Sequence, residues 1–436
     1  MAQLTFAQLS DEGNLAKRLR PLVSDSPTLG NLVIPYSETP FSCLTKTSRR
    51  LFGNTGKGIC YPRVGKLRTC DDYFRFQKDT SETIAQVKDA VAGKYRSELL
   101  DENRFPELEE AVLFLNDRRR GTVMMRGVHS RIYALALGGR NDTFLPRIGA
   151  SIEFLLDDMY YLNQFFDSKS GPDAATNIIA AIQSNDLFWG LLVPPGVNRK
   201  RRDRIFAELN EDYNNVISGF YFGEYIDCKK NVWRELKDVS FGGRMDSFTA
   251  RTYFINTLFF QAIANMARKI VAYQEGIGTL LFDRQFRDLS AYAHYFGMGL
   301  QCANDIADFV PPESHVGTSA KQSSDSWSDI RNGKMTLPVI VMLEMADREG
   351  KKEVVNCLEK GFESTEEELR RVTDIFLRSG AYNNCRNICR KHKEAAGTYT
   401  EEFRRSIHFL LNSSATMLDS NRYFHALVKM KKGMSK

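Results

Sequence analysis

No stretch of this 436-residue chain is a continuous apolar run of about 18 residues, which excludes an ordinary membrane-crossing helix. The N-terminus, MAQLTFAQLSDEGNLAKRLR, has no apolar core and does not read as a secretory signal; Asp11 and Glu12 argue against a transit peptide. None of the eight cysteines forms a CxxC pair. Cys385 and Cys389 stand one helical turn apart with no matching His/Cys pair nearby, so the thiols read as reduced side chains of a cytoplasmic protein, not as a zinc site. The alternation typical of strands is missing as well. The excess charge is only +6, and its densest run, RKRRDR at 199–204, reads as a solvated helix start and not as a nucleic-acid surface. GNTGKG lacks the spacing and the hydroxyl residue of a phosphate loop and reads as plain loop.

What is present is helical periodicity. Residues 1–75 are rich in Gly, Pro, Ser and Thr, and predict an irregular or partly disordered extension. From residue 76 to 436 apolar residues recur at three- and four-residue intervals, as in SETIAQVKDAVAGKYRSELL. FINTLFFQAIANMARKIVAYQ is apolar around most of its circumference, as a helix buried in a bundle is. Breaks at GGRND, PPG, FGG and PPES divide an all-α domain of ten or more helices.

Two clusters carry chemistry. Asn304, Asp305 and Asp308 fall at i, i+1 and i+4, so Asn304 and Asp308 share a helix face and can close on one cation. Oxygen ligands without His or Cys favour Mg²⁺, which takes its remaining ligands from water and phosphate. Asp329, Arg331 and Lys334 follow around a glycine, and together these residues predict a site for a magnesium-bound diphosphate. Upstream, Asp157 and Asp158 are adjacent carboxylates in the apolar helix IEFLLDDMYY. Burying them requires a cation or a partner, unless they face water.

The segment FGMGLQCANDIADF followed by VGTSAKQSSDSWSDIRNGKMTLPVI resembles the trans-isoprenyl diphosphate synthases. Those enzymes carry a second Asp-rich motif, then a Gly-Lys loop, an Asp-Leu dipeptide and a Gly-Lys-x-Thr-Leu-Pro run; this chain has Asn304 at the motif's first Asp. The resemblance reaches, more weakly, over about residues 90–350. It implies a large antiparallel helical bundle of the isoprenoid synthase type, a homodimer, an allylic prenyl diphosphate substrate and several Mg²⁺ ions bound with the diphosphate. Under it Asp157 and Asp158 are the first Asp-rich motif, Tyr161 stands where a third Asp is common, and Asn185-Asp186 replaces a Gly-Asp dipeptide. Another register, on Asn163, Gln164 and Asp167, keeps a closer spacing to Glu153. The implied metal ligands are Asp157, Asp158, Asn304, Asp305 and Asp308, with Asp157, Asp158 and Asp305 catalytic. Arg126, Thr257, Arg331 and Lys334 are the implied diphosphate contacts, and Phe154, Tyr161, Phe188, Trp189 and Phe260 the implied cavity wall.

The departures bear on function. The family holds a second diphosphate with a Gly-Gly-Lys-x-x-Arg run; here GTVMMRG keeps Gly121 and Arg126 but has Val123 where the Lys belongs. Arg118, Arg119 and Arg120 lie just upstream. The family's Arg-Arg-Gly becomes FFDSKSG, and its Lys-Thr pair becomes Asn256-Thr257 or, in a neighbouring register, Arg251-Thr252. Each lost cation removes charge-assisted bonds of roughly 1.5–3 kcal/mol. The reading this favours is ionisation of an allylic diphosphate followed by cyclisation or quenching, a terpene synthase on a prenyl synthase scaffold. A divergent prenyltransferase and a non-catalytic subunit of a heteromeric synthase are the alternatives.

Overall fold

The computed structural model describes residues 58–65, 67–99, 123–140, 144–166, 174–192, 199–276, 282–314, 326–419 and 422–434. The disorder expected of residues 1–57 falls outside them, as do Arg118, Arg119, Arg120, Gly121 and Asp167. The elements that position the site are α1 (Cys70–Leu99), α2 (Met125–Ala136), α3 (Phe144–Phe166), α4 (Ala174–Leu191), α5 (Arg199–Tyr225), α6 (Phe241–Thr252), α7 (Leu258–Glu275) and α8 (Asp283–Ala307). A C-terminal set follows: α9 (Leu337–Met345), α10 (Arg348–Lys360), α11 (Glu366–Arg378), α12 (Ala381–Thr398), α13 (Arg405–Thr416) and α14 (Arg422–Met434). The all-α reading holds: there is no strand among the described residues, and one isolated antiparallel bridge joins Val232 to Lys334. No described helix is long and apolar enough to cross a membrane.

The helical domain starts earlier than the sequence predicts. Thr69 and Asp72 cap α1 reciprocally: Asp72 accepts from the Thr69 amide at 2.9 Å, and the Thr69 hydroxyl oxygen accepts from the Asp72 amide at 3.3 Å. Residues just before the helix also join the bundle. Tyr61 is buried against Arg131, whose guanidinium lies 4.2 Å from its ring and 4.5 Å from that of Phe76. Irregular composition there marks a strap laid on the core.

Two cores share one long helix. Helices α1 to α5, α7 and α13 enclose the first, together with Leu289, Tyr292 and Phe296 of α8. Helices α6, α9 to α12 and α14 enclose the second, together with Cys302, Ala303 and Ile306 further along α8. At 25 residues α8 is about 37 Å long, so it runs through both. It crosses α7 closely at Gly297, where a Cβ would lie 2.7 Å from the Cα of Thr257; only glycine allows that approach.

Two helices end in π turns, which the sequence does not announce. Helix α5 runs into Ile226–Lys230, and α6 joins α7 through Tyr253–Thr257. An extra residue per turn rotates the side chains that follow, and such turns gather at functional sites. Here the first contains Asp227 and the second begins two residues after Arg251.

Candidate active site

The second Asp-rich segment forms the last turn of α8. Asn304 is exposed, whereas Asp305 and Asp308 are buried. Asp305 accepts from Gln301 Nε2 at 2.8 Å and from the Leu337 amide at 3.4 Å; Arg251 Nη1 lies 3.2 Å from each of its oxygens. Arg251 also holds Asp227, with Nε 2.7 Å from Oδ1, and Lys334 Nζ reaches the other Asp227 oxygen at 2.5 Å. Two carboxylates and two cations thus interlock in the interior. Burial favours the neutral forms, but Asp227, Asp305 and Asp329 together hold the Arg251 guanidinium well above its ordinary range. Burial raises the Asp305 carboxyl despite Arg251. At Asp227 burial is outweighed by Arg251 and Lys334, and its carboxyl is lowered.

The Gly-Lys loop is fixed by backbone. Gly333 takes a positive φ of 64°, Trp233 N donates to Gly333 O at 2.8 Å, and Met335 N donates to Asn231 O at 2.8 Å. These bonds tie the loop to the end of the first π turn and aim Lys334 at Asp227. Asp308 has a different task. It accepts from the Ser328 hydroxyl at 3.2 Å and the Asp329 amide at 3.3 Å, closing the turn Ser328–Arg331. Trp327, buried in a left-handed conformation at φ 59°, sets up that turn; its indole donates to Thr373 Oγ1 at 2.9 Å.

The upstream carboxylates sit on α3. Asp157 is paired with Lys88 of α1 at 2.6 Å, and both side chains are 2% exposed. The Lys88 ammonium also lies 4.7 Å from the Phe154 ring centre. Asp158 accepts from the Asn185 amide of α4 at 3.1 Å, and Asn185 makes a close bond to the Tyr213 hydroxyl. Burial pushes the Asp158 carboxyl up to about 7, with neighbouring Asp157 adding to the shift. The field of Asp158 reaches Tyr221, whose hydroxyl is raised to about 12 chiefly by burial. Tyr221 of α5 precedes Asp227, in the π turn that follows, by less than two helical turns, about 9 Å of axis, so both carboxylate clusters lie at the same end of the bundle. In the other register Asn163 is half-buried in the last turn of α3. The side chains of Gln164 and Asp186 lie outside the described residues.

The remaining assignments divide. Arg126 donates to Asn256 Oδ1 at 2.9 Å and lies 5.4 Å from the Phe260 ring centre. Thr257 is fully buried in the α7–α8 crossing, facing Gly297 and not an open pocket. Of the two Lys-Thr registers, the one on Arg251 reaches the second motif. Arg331 does not join that network among the described residues; it lines a groove of about 430 Å³ with Trp233, Lys237 and Glu359. Phe188 and Trp189 cluster with Tyr213 at centroid distances of 5.3 and 4.8 Å. Phe260 packs with His129 and Phe296 at 5.1 Å each. Tyr161 instead packs with Ala180 and Ala181, apart from both sets.

Sequence reasoning missed Lys88 and Asp227. Each is one charged residue in an ordinary helical pattern, and its partner is distant in sequence.

The buried titratable groups predict an acid-side slope. Burial lowers His129 to about 4 and His392 to about 3, so each is neutral in the folded chain but protonated in the unfolded chain below about 6.5. Their contribution is complete above that pH and is lost as pH falls toward the folded values. Asp158 acts oppositely: raised to about 7, it binds a proton in the folded chain that the unfolded chain has released above about 4. Among these three groups, at pH 5–6 two protons favour unfolding and one favours folding. Asp158→Asn removes the latter and steepens the loss of stability by about 1.4 kcal/mol per pH unit, read from urea midpoints. An unchanged slope would mean that Asp158 is ionised in the folded chain.

Comparison with known proteins agrees with this architecture. The polyprenyl synthetase family model matches residues 200–376, which contain Asp227, Arg251, Asp305 and Lys334. Over that segment the chain is similar to the polyprenyl synthetases. A geranylgeranyl diphosphate synthase of Saccharolobus solfataricus is 24% identical over 198 residues, 44% of this chain and 57% of that protein, so the match spans little more than half of the relative. Among solved structures, geranylgeranyl pyrophosphate synthase of Corynebacterium glutamicum, complexed with isoprenyl diphosphate and magnesium, superposes with a TM-score of 0.60 at 15% identity, covering 81% of this chain and 99% of that one. A Caulobacter crescentus polyprenyl synthase, complexed with calcium and isoprenyl diphosphate, gives 0.59 at 18%, covering 83% and 100%. At these identities the superpositions establish the fold.

Proposed function

We propose that this chain is a member of the trans-isoprenyl diphosphate synthase family, an enzyme that binds an allylic prenyl diphosphate and transfers its prenyl group. The observation that carries this reading is the buried network of Asp227, Arg251, Asp305 and Lys334. It sets two buried cations beside the second Asp-rich motif, at the same end of the bundle as Asp157 and Asp158. Cations held in a water-poor site stabilise charge that develops on a departing diphosphate. The aromatic sets around Trp189 and Phe260 present ring faces that favour a positively charged prenyl chain and keep water from it. A divalent ion, magnesium in this reading, neutralises the leaving group when it enters with the diphosphate; Asn304, Asp305 and Asp158 are the oxygen groups that would hold it. The active form in this reading is a homodimer. Helix α4 is apolar around most of its circumference, exposes Ile182 and packs chiefly on α3.

One observation favours the cyclase reading. Val123 stands where the family carries a Lys, and its apolar side chain offers no cation to a second diphosphate. Incubation with geranyl, farnesyl and geranylgeranyl diphosphates, each with and without isopentenyl diphosphate, separates the readings. A prenyltransferase gives a longer diphosphate only with isopentenyl diphosphate present. Hydrocarbon or alcohol without it would replace this reading by the cyclase, and no turnover until a partner protein is added would replace it by the non-catalytic subunit.

A further inference from the structure

The oxygen donors of the second motif suit a hard cation, but the carboxylate best placed for one is already held. Both Asp305 oxygens are 3.2 Å from Arg251 Nη1, and Gln301 and the Leu337 amide take the remaining directions. A divalent ion cannot reach Asp305 at coordination distance, about 2.0–2.1 Å for Mg²⁺, while the guanidinium stays there. We propose that Arg251 is an internal competitor for the metal: it holds Asp305 until a diphosphate draws the guanidinium away, and only then does Asp305 bind a divalent ion. The proposal rests on reading this buried network as part of a diphosphate site.

The geometry leaves each carboxylate with a cation throughout the exchange, and the diphosphate offsets the additional positive charge of the divalent ion. When Arg251 leaves, Asp227 keeps Lys334 at 2.5 Å, and the incoming ion replaces the guanidinium at Asp305. Asp329, the third carboxylate whose field acts on Arg251, stays where it is. No buried carboxylate is left alone at any stage, so the costly intermediate, an unpaired buried charge, is avoided. Free metal is disfavoured because it must expel the guanidinium with no anion to receive it. Diphosphate supplies that anion, so metal and diphosphate bind together and each raises the affinity of the other.

The test is Mn²⁺ binding to the full chain, with free Mn²⁺ counted by electron paramagnetic resonance, in the presence and absence of inorganic diphosphate. Wild type is expected to bind Mn²⁺ weakly alone and on the order of tenfold more tightly with diphosphate. In Arg251→Gln, Asp227 keeps Lys334 and Asp305 keeps Gln301 and the Leu337 amide. Mn²⁺ alone is expected to bind on the order of tenfold more tightly than to wild type, and the added effect of diphosphate to shrink accordingly. Asp305→Asn in the Arg251→Gln background is expected to remove that gain. Arg251→Lys retains a charge that secures folding; one ammonium spans the two carboxylates less well, so part of the gain is expected there too. Wild-type affinity for Mn²⁺ alone in both Arg251 variants would overturn the proposal, as would a gain that survives Asp305→Asn. The measurement contains no prenyl group, so its failure is distinct from failure of the product assay.

Discussion

Asp227→Ala is expected to lower the unfolding free energy by about 3–5 kcal/mol and to abolish turnover. Asp227 is 2% exposed and joins Arg251 to Lys334. Removing it leaves Lys334 buried without that carboxylate and Arg251 with Asp305 as its remaining ion-pair partner in the network. Taking one partner from a buried ion pair costs far more than the pair contributes, because the surviving charge keeps its desolvation penalty. The Gly-Lys loop is anchored beside the same residue, so the released Lys334 also loses its aim. Urea denaturation gives the stability and a product assay the turnover. Wild-type stability in Asp227→Ala would mean that the network is dispensable for the fold. Asp227→Asn is the milder probe: it retains the shape and loses the charge, and is expected to fall between the two.

What the sequence disclosed here was local, and what it withheld was tertiary. The helices announce themselves because an apolar face needs only residues a few positions apart. The second motif is legible for the same reason: Asn304, Asp305 and Asp308 fall at i, i+1 and i+4, and Gly333-Lys334 follows with a turn-forming glycine. Arg251 belongs to neither pattern. Its partner Asp305 is 54 residues away, and a π turn just after it shifts the helical register that sequence spacing assumes. This is why the sequence favours the Asn256-Thr257 register, whereas in the structure it is Arg251 of the neighbouring register that reaches Asp305. Thr257 was misplaced by the same turn, into the helix crossing at Gly297. The start of α1 was missed because Tyr61 and Arg131 bury a segment whose composition alone reads as loop.

The second large effect concerns Asp157. From sequence, an alanine there removes a metal ligand and spares the fold; the Lys88 pair changes that expectation. Both side chains are 2% exposed, and the bond joins α1 to α3 across 69 residues. Asp157→Ala is therefore expected to destabilise the metal-free protein by about 3–5 kcal/mol, with Lys88 left charged beside the Phe154 ring. Lys88→Met leaves the opposite orphan and is expected to cost a similar amount. The double variant Lys88→Met/Asp157→Leu replaces both charges with apolar groups of similar length, and is expected to recover most of the loss. A double-mutant cycle in urea, without metal or diphosphate, measures the coupling. A purely structural pair leaves the double variant with near-wild-type turnover as well as stability. If stability returns but turnover does not, Asp157 also meets the substrate or its metal, and Lys88 guards it as Arg251 guards Asp305. If Asp157→Ala is as stable as wild type, the buried pair contributes nothing to the fold, and the ligand role read from the sequence is the one left to explain an acid pair in an apolar helix.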